Sequence, residues 1–188
     1  MTESVTHPKP VKRVRRNGAP KARPAGEFRG KLLRGTDWFE HYYTGERVAL
    51  LATGAEAAEI LPELLHTATS VTVFEESPTW IIPIALPTGV LRHLASKAYL
   101  RLSVRDRWTR RQLTPHKRYG SARVEVSPSY YAALQNSRTR LVHWPTYAIV
   151  EQGVRAVDGV EYQFDTIIIG ATSKFAHTMS VQIPKESA

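Results

Sequence analysis

Residues 48–75 constrain the fold more than any other stretch of this 188-residue chain. Val48-Ala49-Leu50-Leu51-Ala52 is a short unbroken apolar run, the pattern of a strand buried on both faces. Thr53-Gly54 closes it, and residues 55–66 then place Ile60, Leu61, Leu64 and Leu65 on one helical stripe. Pro62 lies inside that helix, where it removes a backbone hydrogen bond and predicts a kink. Val71-Thr72-Val73-Phe74 is β-branched and apolar. Strand, helix and strand therefore follow one another within about thirty residues, the order of a parallel βαβ unit.

Downstream, residues 90–111 read as a helix. Residues 127–136 read as a short one opened by Ser127 as N-cap, with Pro128 at the first helical position. Residues 140–143, 148–152, 153–157, 162–164 and 166–169 read as strands, with turns at Gly153 and at Asp158-Gly159, a hairpin signal. The expected fold class is α/β: a three-layer, Rossmann-like domain with a mostly parallel sheet and an antiparallel contribution. The length suits one core of moderate size.

Charge is unevenly spread. Residues 1–35 hold ten Lys/Arg against two Asp/Glu, residues 36–94 two against eight, and residues 95–120 eight against one. Residues 1–27 combine basic pairs with Pro8, Pro10, Pro20 and Pro24 and few large apolar side chains, so a disordered basic tail is expected. Such a tail can hold a polyanion nonspecifically, or simply solubilise the chain. The absence of cysteine excludes disulfides, thiolate metal sites and cysteine nucleophiles, and fits a cytoplasmic setting. No apolar run approaches the ~20 residues a membrane span requires, and no signal-peptide core follows the basic N-terminus. The seven histidines form no H-x-x-x-H or H-E-x-x-H pattern, so no metal site is expected.

Between the first strand and its helix stand Ala52-Thr53-Gly54-Ala55-Glu56-Ala57, a partial match to G-x-G-x-x-G/A with alanine for the first glycine. In that motif the second glycine admits a pyrophosphate, the last small residue lets helix pack on strand, and helix amides hold the anion. Gly54 and Ala57 meet two of these demands. Glu56 puts a carboxylate where phosphates would lie, repelling them unless it turns to solvent. Glu75 ends the second strand 21 residues after Gly54, the position of an acid that accepts from a ribose hydroxyl. Glu76 beside it opposes a 2′-phosphate, so any dinucleotide held here would be NAD(H), and weakly. The other reading makes Glu75 an ordinary strand-end acid.

Phe28-Arg29-Gly30-Lys31-Leu32-Leu33-Arg34-Gly35-Thr36-Asp37-Trp38 resembles the F-x-G-x-x-x-H-x-x-x-W fingerprint of Baeyer-Villiger monooxygenases, the class B flavoproteins, with Arg34 for the histidine. Residues 44–64 are similar to that family's NADP-binding βαβ unit. Pro78, Trp80, Leu113-Thr114-Pro115, Tyr130-Tyr131 and Asp158-Gly159 follow its later half. The resemblance spans residues 28–172. It implies a Rossmann-like NAD(P)-binding domain over 28–175, with 176–188 as a loosely ordered C-terminal tail. Glu76 stands where the family has an arginine for the 2′-phosphate, and the flavin-contacting Ala-Thr-Gly reads Gly170-Ala171-Thr172-Ser173. Only the basic tail precedes residue 28, so FAD is not expected. The implied protein is a truncated relative, inactive alone, acting as a pseudoenzyme or binding module, with no catalytic residue assigned. Two other readings stay open: an NAD(P)H-dependent oxidoreductase subunit working with a separate flavoprotein, and a basic scaffold for nucleic acid or another polyanion. A flavoprotein or a second copy of the chain is the implied protein partner.

Overall fold

Five parallel strands form the central sheet of the computed structural model, which describes residues 28–87, 89–115, 124–142 and 145–179. The expected tail over 1–27, and residues 180–188 of the C-terminal stretch, lie outside the described residues. The strands are β1 (Lys31–Arg34), β2 (Arg47–Ala52), β3 (Ser70–Glu75), β4 (Trp80–Ile82), β5 (Val124–Val126), β6 (Thr139–Val142), β7 (Thr146–Val150), β8 (Gly153–Ala156), β9 (Glu161–Gln163) and β10 (Thr166–Ile169). The helices are α1 (Gly54–Thr67), α2 (Val90–Ser103), α3 (Arg107–Gln112), α4 (Tyr130–Leu134) and α5 (Lys174–Met179). The sheet runs β1-β10-β2-β3-β6, every neighbouring pair parallel.

Strand alternation splits the interior into two cores. On one face Leu50, Val71, Val73 and Ile168 pack against Ile60, Leu61 and Leu64 of α1 and against Tyr130 and Tyr131 of α4. On the other, Leu51, Phe74, Ile167 and Ile169 meet Ile149, Val154 and Phe164 from the antiparallel meander β7-β8-β9, together with Phe175 of α5. Phe74 makes edge-on contacts with Tyr162 and Phe164. The α/β class and the parallel central sheet are as expected, but the antiparallel strands form a separate sheet that makes the third layer rather than joining the parallel one.

Particular elements depart from expectation. Residues 90–111 form two helices, because Val104 is extended and the Asp106 side chain accepts from the Thr109 amide, starting α3 afresh. The short helix α4 begins later than expected: Ser127 donates its hydroxyl to the Ala58 carbonyl of α1 and caps nothing. β1, inside the fingerprint segment, pairs with β10 at the sheet edge, a strand that the pattern of residues 31–34 does not announce. The Asp158-Gly159 hairpin forms as expected, with Gly159 at φ +87° and the Val160 amide donating to Asp158 Oδ1. α5 occupies residues that the sequence leaves unpatterned.

Candidate functional site

Strand order fixes where a ligand could sit. β2 leads through α1 to β3 on one side, while β10 and β1 lie on its other side. The C-terminal ends of β2 and β10 therefore flank a switch point, the place where open α/β sheets hold ligands. One wall of this crevice is residues 52–57, and the other is residues 170–173 after β10.

Ala52 is fully buried at the end of β2 and stands opposite Glu75 of β3. Its carbonyl accepts from the Glu76 amide, and the Gly54 amide donates to the Ser77 carbonyl. The amide that the motif would aim at a pyrophosphate is thus already bonded. A β-carbon on Gly54 would lie 2.8 Å from Thr79 N and 2.6 Å from Glu75 Oε1, so close packing by the 75–79 segment itself requires glycine here. Ala55 is half-buried. Ala57 is fully buried and lets α1 approach the sheet.

Glu56 does not turn to solvent. Its carboxylate reaches back over the start of α1, where Thr53 N and Thr53 Oγ1 approach Oε2 at 3.3 and 3.2 Å. Across the crevice, Thr172 N donates to Oε1 at 3.0 Å and Thr172 Oγ1 to Oε2 at 2.8 Å. The two threonine hydroxyls lie 3.1 Å apart. Glu56 also rests on Gly170, where a β-carbon would fall 2.4 Å from Oε2. A side-chain carboxylate therefore lies at the N-cap of α1, where it complements the helix dipole, and joins the two walls.

Glu75 and Glu76 face opposite sides of the sheet, as alternation requires. Glu75 lies on the α1 side and is largely buried. Burial pushes its carboxyl up to about 7. Tyr130 and Tyr131 lie within its electrostatic reach, and their phenols are pushed above the usual range by burial first and by Glu75 second. Among the described residues no hydrogen bond reaches the Glu75 carboxylate. Glu76, on the meander side, accepts from the Lys174 amide at 3.0 Å, with Lys174 Nζ 4.0 Å away. The structure thus brings residues 52–57 and Glu75 to one corner, and adds Thr172, Lys174 and Tyr130. Their sequence distance, 116 residues between Glu56 and Thr172, left no local signal for these partners.

These residues do not fit a pyrophosphate as they stand. A phosphate placed at the α1 N-terminus would meet Glu56, and like charges near 4 Å repel by roughly 4 kcal/mol at an effective dielectric of 20. Among the described residues, no group of three or more His, Asp or Glu is arranged to hold a metal ion. No described helix is long and apolar enough to cross a membrane.

Comparison with known proteins agrees with the fold. No family model matches the chain. It is 26% identical over 201 residues to the FAD-binding monooxygenase ktnD of Aspergillus niger, covering 82% of this chain and 33% of the fungal protein. A Baeyer-Villiger monooxygenase of Streptomyces coelicolor is 27% identical over 184 residues, covering 76% of this chain and 36% of its own. The chain resembles Baeyer-Villiger monooxygenases. It spans about a third of the length of these curated relatives. The structure of oxidized steroid monooxygenase bound to NADP superposes with a TM-score of 0.68 at 18% identity, over 82% of this chain and 44% of that one. The open structure of cyclohexanone monooxygenase gives 0.68 at 15%, over 82% and 45%. In this Baeyer-Villiger-like chain the fingerprint residues have structural roles. A β-carbon on Gly30 would clash with the Asp165 carbonyl at 2.3 Å, and Trp38 is buried with its carbonyl accepting from Tyr43 Oη.

Proposed function

We propose that this is a monooxygenase-like domain whose dinucleotide crevice is closed by its own Glu56, so that it works as a binding module and inserts no oxygen by itself. The single observation behind this reading is the carboxylate bonded to both Thr53 and Thr172 across the switch point. It supplies the negative charge that the helix N-terminus favours, and it excludes a second anion from the same amides. The Gly54 amide, spent on Ser77, points the same way. Glu76, held by Lys174, lends no support to 2′-phosphate binding.

Titration of the full chain with NADH and with NADPH, followed by nucleotide fluorescence, tests this. The wild type is expected to show no saturable binding of either up to about millimolar concentration, while Glu56→Ser gains measurable affinity, NADH ahead of NADPH. Removing one opposing charge near 4 Å is worth on the order of a hundredfold or more in affinity. Micromolar NADH binding by the wild type, unchanged in Glu56→Ser, would overturn the reading and favour a live oxidoreductase subunit served by a separate flavoprotein.

A further inference from the structure

The described part of the basic island, residues 95–115, contributes to a concave surface. Lys97 and Arg101 stand four residues apart on α2, and Arg107, Arg110 and Arg111 occupy i, i+3 and i+4 on α3. Such spacings put each set on one helix face. The chain breaks at Val104 between the two helices, and residues of both line one cleft of about 660 Å³ together with the buried Trp80 and Leu100. That volume lies in the range of small-molecule sites.

Among the described residues, no acidic side chain lines the cleft. Asp106 is the only acid of the island, and its carboxylate is engaged as the α3 N-cap on the Thr109 amide. Arg110 gives one N–H to the Val104 carbonyl, which fixes its guanidinium at the rim. Arg101, Arg107 and Arg111 form no ion pair among the described residues. Like charges held together in a concavity over a low-dielectric floor focus a positive field, and guanidinium forks match phosphate oxygens.

We propose that the cleft between α2 and α3 binds a small oligophosphate anion, of the inorganic tripolyphosphate or nucleoside triphosphate class. A compact ligand of several charges suits basic side chains gathered from two helices around one cleft better than a nucleic acid strand does. Stacking of bases needs an open aromatic face, and Trp80 is only 5% exposed. The one exposed tryptophan of the island, Trp108, lines a different groove beside Leu141. The inference is independent of the crevice at Glu56, which lies outside this cleft's lining.

Calorimetric titration of the full chain with inorganic tripolyphosphate, at fixed ionic strength, is the test. Saturable binding with one site is expected, weakened about a hundredfold in Arg107→Gln/Arg111→Gln, since each lost charge-assisted contact is worth roughly tenfold or more. Both arginines are exposed on a helix, where glutamine is well tolerated, and far-UV circular dichroism checks the fold. Arg101→Gln, on the other wall, should by itself weaken binding about tenfold. Replacing Lys12, Arg13, Arg15 and Arg16 by glutamine should change affinity less than about twofold if the cleft is the site. Equal affinity for ATP assigns recognition to the triphosphate alone, whereas tighter ATP binding adds a nucleoside contact, and either supports the proposal. Binding unmoved by the cleft variants, binding lost in the tail variant, or a single-stranded oligonucleotide outcompeting tripolyphosphate at equal charge would overturn it.

Discussion

Glu56 carries four contacts with two threonines that lie on different walls of the crevice. Glu56→Ala leaves the Thr53 and Thr172 amides without that acceptor. A loss of about 1–2 kcal/mol in urea unfolding is expected, the lower end reflecting partial exposure. Gly170→Ala should act through the same carboxylate, because the new methyl meets the flexible end of Glu56 rather than backbone. The two substitutions are therefore expected to be non-additive, with the double variant close to Glu56→Ala alone. Full additivity would mean that Gly170 is needed for another reason. Glu75 offers a pH signature. Its folded carboxyl sits near 7, above the ordinary value of 4.5, so the folded state holds the extra proton between these values. Stability from this group is present below about pH 4.5 and falls as pH rises to 7, by about 3 kcal/mol in all. Glu75→Gln should flatten that slope and be the more stable protein at pH 8. Denaturation midpoints at pH 5, 6, 7 and 8 decide it, and parallel wild-type and variant curves would count against a buried Glu75.

At the scale of elements, the ends of helices and hairpins hold the assembly in register. Arg138, just before β6, donates to the Ala68 and Leu65 carbonyls at the C-terminal end of α1, satisfying acceptors the helix leaves open. Arg138→Ala is expected to lower stability by about 1 kcal/mol and to speed amide exchange in the last turn of α1. The β8-β9 hairpin depends on Gly159 at φ +87°, and Gly159→Ala should cost about 1–2 kcal/mol by urea unfolding. An unchanged midpoint would mean the turn can relax. Arg47 and Asp165 pair through two side-chain hydrogen bonds at the opposite end of β2 from the crevice, so the sheet is pinned there while its other end carries the site.

Across the whole molecule, one sheet separates two cores, one under α1 and one under the meander. Leu61→Ala in the first and Phe164→Ala in the second should each cost about 3 kcal/mol and add within about 0.5 kcal/mol, in a single unfolding transition. Two transitions would show that the meander unfolds separately. Sequence alone determined the βαβ unit, because apolar runs and a 3.6-residue stripe are local patterns, and it determined the Asp158-Gly159 hairpin from turn chemistry. The same letters located the turn at residues 52–57 and flagged Glu56 as a misplaced charge. What Glu56 does, however, was decided by tertiary structure, since its partner Thr172 arrives only when β10 inserts between β1 and β2. The burial of Glu75 beneath Gly54 and beside Tyr130, the break between α2 and α3, and the meeting of their basic faces arise in the same way. Each depends on which elements become neighbours, and local patterns of polarity do not specify that strand order.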